Sequence, residues 1–343
     1  MKNEISQQTL DLVMRQYGEH LLSASPLSSF YARGTAYKVR TEQGMRVIKP
    51  WTGGYQQLQQ LKKLINALQV ADYSHAPSWF TTSSGEPFAT CSGRWYYVTN
   101  WVMGTPFSPT RNTCRAAGQA LAQLHQLTVS HTQLRQSKQS GLGQIPAVGT
   151  VQAKPWLREL QRRATLFQKE LVWVHPRSTG AAAWFRNHGQ VCQQMTRQGL
   201  TRLNHPSVSR CLQQEWFHPH WLHGDVTVPN LIQTGSEVVL LDWDRAHPGM
   251  PTVELAKSLA NVCGFCPDFM TNFIRGYMVL HPLSAEERKL VVAYLHLPWE
   301  AWNGLHKFRQ GKSAPELPAL RRSWSARLQG LIWARQWADS EIL

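Results

Sequence analysis

No stretch of the 343-residue sequence approaches the ~20 consecutive apolar residues that a membrane helix needs, so no spanning segment of that kind is expected. Internal repeats and low-complexity tracts are also missing. Acidic residues are scarce: 21 Asp and Glu stand against 36 Lys and Arg, for a formal net charge of +15. A chain this basic attracts nucleotides, nucleic acids, acidic proteins and anionic surfaces alike, so the charge restricts the partner class only loosely. The opening Met1-Lys2-Asn3-Glu4-Ile5-Ser6 lacks the charged-then-apolar order of a secretory signal, and a cytoplasmic protein is expected. The six cysteines, at 91, 114, 192, 211, 263 and 266, are scattered and read as reduced thiols. Only Cys263 and Cys266 have the local spacing of a ligand or redox pair, and zinc would need two further ligands. His218, His220 and His223 invite a metal reading too, but Pro219 interrupts them and a structural role is favoured.

What is present is a globular composition, 42% hydrophobic and 17% charged, in a chain long enough for two separately packed lobes. Its most informative stretch runs Leu222-His223-Gly224-Asp225-Val226-Thr227-Val228-Pro229-Asn230-Leu231-Ile232 and then Val238-Val239-Leu240-Leu241-Asp242-Trp243-Asp244. Apolar runs on either side of Thr234-Gly235-Ser236 predict two short buried strands joined as a hairpin, with Asp225, Asn230 and Asp242 at strand ends and in adjoining loops. Phosphoryl transfer suits this pattern. It asks for an acceptor hydroxyl held in line and for cations that neutralise a triphosphate. Asp225 would orient the hydroxyl and take its proton, while Asn230 and Asp242 would offer hard oxygen ligands to magnesium. Asp244 is a further candidate, as an extra ligand or a group bonded to the ligands.

His223-Gly224-Asp225 with Asn230, Asp242-Trp243-Asp244, Gly249-Met250-Pro251 and Glu254-Leu255-Ala256 together resemble the signature of the aminoglycoside phosphotransferase and choline kinase superfamily. Within it the chain most resembles the spore coat protein S family of kinase-like proteins. That likeness rests on residues 96–104 (Tyr96 to Gly104), 120–125 (Ala120 to His125) and 282–287 (Pro282 to Glu287). The resemblance implies an α+β, two-lobed protein-kinase-like fold. Residues 1–103 would form a small antiparallel β lobe that binds nucleotide, and 104–343 a larger, mainly helical lobe with the catalytic loop and acceptor site. It implies an ATP- and Mg2+-dependent phosphotransferase acting on a hydroxyl of a small molecule or a coat protein, in the cytoplasm or the spore coat. The alternative is a weak or inactive kinase-like component of coat assembly.

The same resemblance assigns nucleotide contacts. Lys49, closing the strand Met45 to Trp51, looks like the lysine that kinase-like folds aim at the α- and β-phosphates, and backbone groups of Asn100, Trp101 and Val102 would face adenine. Two departures stand out. There is no G-x-G-x-x-G loop, and the helix expected from about Tyr55 to Leu68 presents Gln56, Gln57, Gln59 and Gln60 with no glutamate to pair with Lys49. Glu254 also replaces the aspartate that in the superfamily braces the catalytic loop.

Elsewhere the periodicity predicts helices over about 5–18, with Leu10, Leu12, Val13 and Tyr17 as its apolar positions, and over 114–127, 156–171, 253–262, 271–280, 285–296 and 320–337. Residues 135–150 read as a Ser-, Gly- and Gln-rich loop. Arg158, Arg162, Arg163 and Lys169 give the helix 156–171 a positive face suited to an acidic partner or acceptor. In the last helix Trp324, Leu328 and Leu331 share a face that would cap a lobe. Specific nucleic-acid binding rests on charge alone and is the weakest reading.

Overall fold

A computed structural model describes residues 5–28, 33–127, 154–177 and 180–340. The loop expected over 135–150 lies outside the described residues. In chain order the strands are β1 (Leu21–Ser28), β2 (Arg33–Thr41), β3 (Gly44–Pro50), β4 (Phe88–Cys91), β5 (Arg94–Asn100), β6 (Thr105–Pro106), β7 (His220–Leu222), β8 (Leu231–Thr234), β9 (Glu237–Leu240) and β10 (His247–Gly249). The chain groups into two compact units, Met1–Ser108 with His223–His247, and Pro109–Leu222 with Pro248–Leu343.

The first unit is built on an antiparallel sheet of order β1-β2-β3-β5-β4. Side chains alternate across a strand, so Tyr37, Val39, Ile48, Tyr96 and Val98 share one face and form a core with Leu10, Val13 and Met14 of α1 (Gln7–Gln16). That helix begins on Ser6, whose hydroxyl accepts the Thr9 amide at 3.2 Å. Leu12 is 47% exposed, and Met14, four residues after Leu10, completes the buried stripe in its place. The β3–β5 register pairs Ile48 with Val98 and therefore sets Lys49 opposite Tyr97, both on the face away from α1. β1 was not evident from the sequence because Pro26 interrupts it. As an edge strand it tolerates the missing donor. Beside the sheet, α2 (Tyr55–Val70) buries Leu58, Leu61, Leu64, Ile65 and Leu68.

The hairpin expected around residue 235 is present. β8 and β9 pair Leu231 with Leu240 and Thr234 with Glu237, around a turn in which Gly235 has φ +62°. β6 extends it to three strands through Thr105 opposite Gln233.

In the second unit the described residues are mainly helical: α3 (Arg111–His125), α4 (Lys154–Val174), α5 (Gly180–Leu203), α6 (Pro206–Phe217), α7 (Pro251–Val262), α8 (Pro267–Leu280), α9 (Ala285–Leu295), α10 (Trp299–Arg309) and α11 (Glu316–Asp339). In α11, Leu317, Leu320, Leu331 and Trp337 are buried, whereas Leu328 is 37% exposed and Trp324 half-buried, so the packed face differs from the one expected. Among the described residues no helix is long and apolar enough to cross a membrane. α3 and α8 approach closely at two glycines: a Cβ on Gly118 would strike the Phe273 carbonyl, and one on Gly276 the Arg115 carbonyl. Replacing Gly276 by Ala gains about 1 kcal/mol of helix propensity. Forcing the two backbones apart typically costs about 1–3 kcal/mol. We expect a net loss, read as a lower urea midpoint for Gly276→Ala with an unchanged slope.

Candidate active site

The loop entering the hairpin is held by His223, which is fully buried. Its Nε2 lies 2.9 Å from the Leu241 carbonyl, an acceptor only, so Nε2 carries the proton. Nδ1 is then the acceptor for the Asp225 amide at 3.3 Å. One imidazole thus ties the start of the loop to the end of β9. Gly224 between them has φ +84°, and a Cβ there would collide with the Arg245 carbonyl, so both conformation and space require glycine. Asp225 keeps a carboxylate 32% exposed, with Arg245 Nε 3.9 Å from Oδ2. Asn230 closes the loop: its Nδ2 donates to the Asp225 carbonyl at 2.9 Å, which leaves Oδ1 as the side-chain oxygen that could meet a cation, and its own carbonyl accepts the Leu241 amide at 2.8 Å.

Beyond β9 the chain turns sharply. Asp242 adopts φ +64° and ψ +66°, the left-handed region that a non-glycine residue occupies at a cost and that aspartate tolerates better than most. Trp243, 1% exposed, explains how the turn is held. Its indole N–H donates to the Leu240 carbonyl at 2.8 Å, and its ring packs edge-on against His223, Tyr73 and Trp79. With Trp243 driven inward, Asp242 and Asp244 both reach the Lys49 ammonium.

Lys49 is 13% exposed. It pairs with Asp242, and its Nζ lies 2.8 Å from Asp244 Oδ2. Burial pushes the ammonium towards losing its proton, but attraction to Asp244 and Asp242 outweighs this, and its pKa lies above the ordinary lysine value. The Tyr97 hydroxyl donates to Asp244 Oδ1 at 2.6 Å. Burial and then the Asp244 charge hold its pKa well above that of a free phenol, so it stays a donor. The four residues read from the sequence as Asp225, Asn230, Asp242 and Lys49 therefore lie in one unit around one hairpin. Tyr97 was not singled out, since only the β3–β5 register reveals that it faces Lys49.

In the stretch after β5, the Asn100 amide donates to the Ser78 carbonyl at 3.0 Å and the Trp101 amide to the Met45 carbonyl at 3.1 Å, while Lys38 lies 4.1 Å over the Trp101 ring. Among the described residues the Val102 amide donates to no partner.

The remaining candidates lie in the second unit. On α4, Arg162 and Arg163 both bond to Glu159 of the same helix, so half of the expected positive face is paired internally. Glu254 is buried and receives His125 Nε2 at 2.9 Å, and Nδ1 of that ring lies 2.7 Å from the Tyr277 hydroxyl. Cys263 is buried and Cys266 half-buried as free thiols. Among the described residues no three His, Cys, Asp or Glu side chains are grouped to hold a metal.

The profile of the phosphotransferase enzyme family matches residues 32–289, and the chain belongs to that family. Among curated proteins no match is found. Solved structures share the fold. An aminoglycoside phosphotransferase from Alicyclobacillus acidocaldarius superposes with a TM-score of 0.77 at 17% identity, over 99% of this chain and 98% of its own. A spectinomycin phosphotransferase, in complex with ADP and spectinomycin, gives 0.63 at 14% over 98% and 96%. An amicoumacin kinase, in complex with AMP-PNP, Ca2+ and Ami, gives 0.51 at 12% over 90% and 88%. The fold is thus the α+β kinase-like fold of these phosphotransferases.

The bridging role of His223 is testable. His223→Leu leaves a buried carbonyl and an amide without their partner, at about 1–3 kcal/mol for each orphaned group. We expect a lower denaturation midpoint in urea, and a loss within the noise of the measurement would contradict the assignment.

Proposed function

We propose that this protein is an ATP- and Mg2+-dependent phosphotransferase that uses Asp225 to orient a hydroxyl acceptor and take its proton, in the cytoplasm, where ATP and Mg2+ are both available. The observation that carries the reading is the convergence of Asp225, Asn230, Asp242 and Lys49 on one hairpin. The donor set fits magnesium. Asn230 Oδ1 and the Asp242 carboxylate, 44% exposed, are hard oxygen donors of the number that a cation sharing its coordination with phosphates and water requires. When bound, the cation would neutralise charge on the triphosphate.

The chain's own residues do the rest. An ammonium has three N–H donors, and Lys49 directs two of them at Asp242 and Asp244. The third remains for the α- and β-phosphate oxygens. Asp225 stands on a loop stiffened by His223 and Asn230, where its carboxylate can accept an acceptor hydroxyl's proton and hold the oxygen in line. At the base, the donor in the stretch 100–102 is the Val102 amide, because those of Asn100 and Trp101 are committed. Neighbours of the same fold are named as aminoglycoside and spectinomycin phosphotransferases, which supports a small polyhydroxylated or amino-alcohol acceptor.

A second reading has one observation in its favour. α2 carries no glutamate for Lys49, a departure that suits a kinase-like spore coat component engaged in binding and assembly, for which the resemblance of residues 96–104, 120–125 and 282–287 also speaks.

Phosphate transfer from ATP to a panel of hydroxyl acceptors separates the two. Asp225→Asn is expected to lower transfer about 100- to 10,000-fold while leaving nucleotide affinity nearly unchanged. Equal rates in wild type and Asp225→Asn would favour the coat reading.

A further inference from the structure

In this chain the carboxylates that meet Lys49 come from the turn that follows the hairpin, not from α2. α2 runs Tyr55–Val70 with no acidic residue, and its Lys62 is taken up by Glu86 at 2.5 Å. Lys49 nevertheless occupies a site 13% exposed, where an unpaired charge would be strongly unfavourable. Asp242 is one partner, but it is also the side chain best placed to ligate a cation, and a carboxylate shared between a cation and an ammonium holds the ammonium less firmly. Asp244 is engaged on both of its oxygens. Oδ2 meets Lys49 at 2.8 Å, and Oδ1 accepts the Tyr97 hydroxyl at 2.6 Å, so its two oxygens are committed to two neighbours that face each other across β3 and β5. Tyr97 itself is 5% exposed and packed edge-on against Phe88.

From this geometry we propose that Tyr97 and Asp244 form a positioning pair that holds Lys49 for the nucleotide phosphates, in place of a helix carboxylate. The role in nucleotide binding rests on the phosphotransferase reading above; the linkage itself does not. Tyr97 reaches Lys49 only through the Asp244 carboxylate. The arrangement keeps one oxygen of Asp244 on the lysine whether or not Asp242 is engaged elsewhere. It also makes the lysine's position a property of the sheet and the hairpin, which belong to the same compact unit.

The test is a double-mutant cycle on the free protein, combined with calorimetry. Tyr97→Phe keeps the ring and removes only the hydroxyl, Lys49→Met keeps most of the length and removes the charge, and Asp244→Asn breaks the link between them. In urea unfolding, Tyr97→Phe should shift the midpoint clearly in wild type, much less in the Asp244→Asn background, and by a clearly different amount in the Lys49→Met background, because the residues act through one carboxylate. In calorimetry with magnesium and AMP-PNP, Tyr97→Phe should weaken binding roughly tenfold, the size of a lost hydrogen bond to a charged group. Additive midpoint shifts would overturn the linkage whatever the nucleotide does. Coupled midpoints with unchanged nucleotide affinity would overturn the positioning role. Wild type that binds no nucleotide while the midpoints stay coupled would sink the phosphotransferase reading, and with it the role assigned to Lys49, but not the linkage.

Discussion

The ammonium of Lys49 is nearly enclosed, and an enclosed charge must be matched by carboxylates or it destabilises the fold. That requirement reaches across the first unit. Asp242 and Asp244 meet the lysine from either side of the buried Trp243, with Asp242 in the left-handed conformation. Tyr97 fills the remaining oxygen of Asp244, and His223, against the Trp243 ring, carries the same constraint to the loop of Asp225. Groups that would bind phosphate, ligate a cation and accept a proton are therefore mechanically joined before any ligand arrives. Preorganisation of this kind is what phosphoryl transfer chiefly asks of a protein.

Much of this was legible in the sequence. The hairpin could be read because Leu231-Ile232 and Val238-Val239-Leu240 flank a glycine turn, and the spacing of Asp225, Asn230 and Asp242 pointed to the chemistry proposed for it. The amphipathic stripe of α2 and the two strands around Gly44 were equally clear. What escaped was set by pairing. The opposition of Lys49 and Tyr97 depends on which strands neighbour which, since β3 pairs with β5 and not with the next strand in the chain. β1 escaped because local signals mark Pro26 as a break, whereas its place at the sheet edge makes the proline harmless. In α11 the period was right and the face was not, because the position of Arg327, 2% exposed and bonded to Glu300, turns a charged residue inward.

Two departures from the kinase pattern take on a physical meaning. A helix without a glutamate would leave a buried lysine unsupported, and here the support comes from the hairpin instead. The glutamate at 254, longer than the aspartate it replaces, is occupied within the second unit by His125, which in turn meets Tyr277. Neither change removes a group that the proposed chemistry would need; in both places the anchoring contact is relocated.

Titration of the protein with Mn2+ and AMP-PNP, followed by the relaxation of solvent protons and by calorimetry, bears on this account most directly. We expect a ternary complex with nucleotide affinity below millimolar in wild type, and a loss of at least about tenfold in Asp242→Ala, the equivalent of ~1.4 kcal/mol. No binding at millimolar nucleotide, or equal binding by wild type and Asp242→Ala, would contradict it.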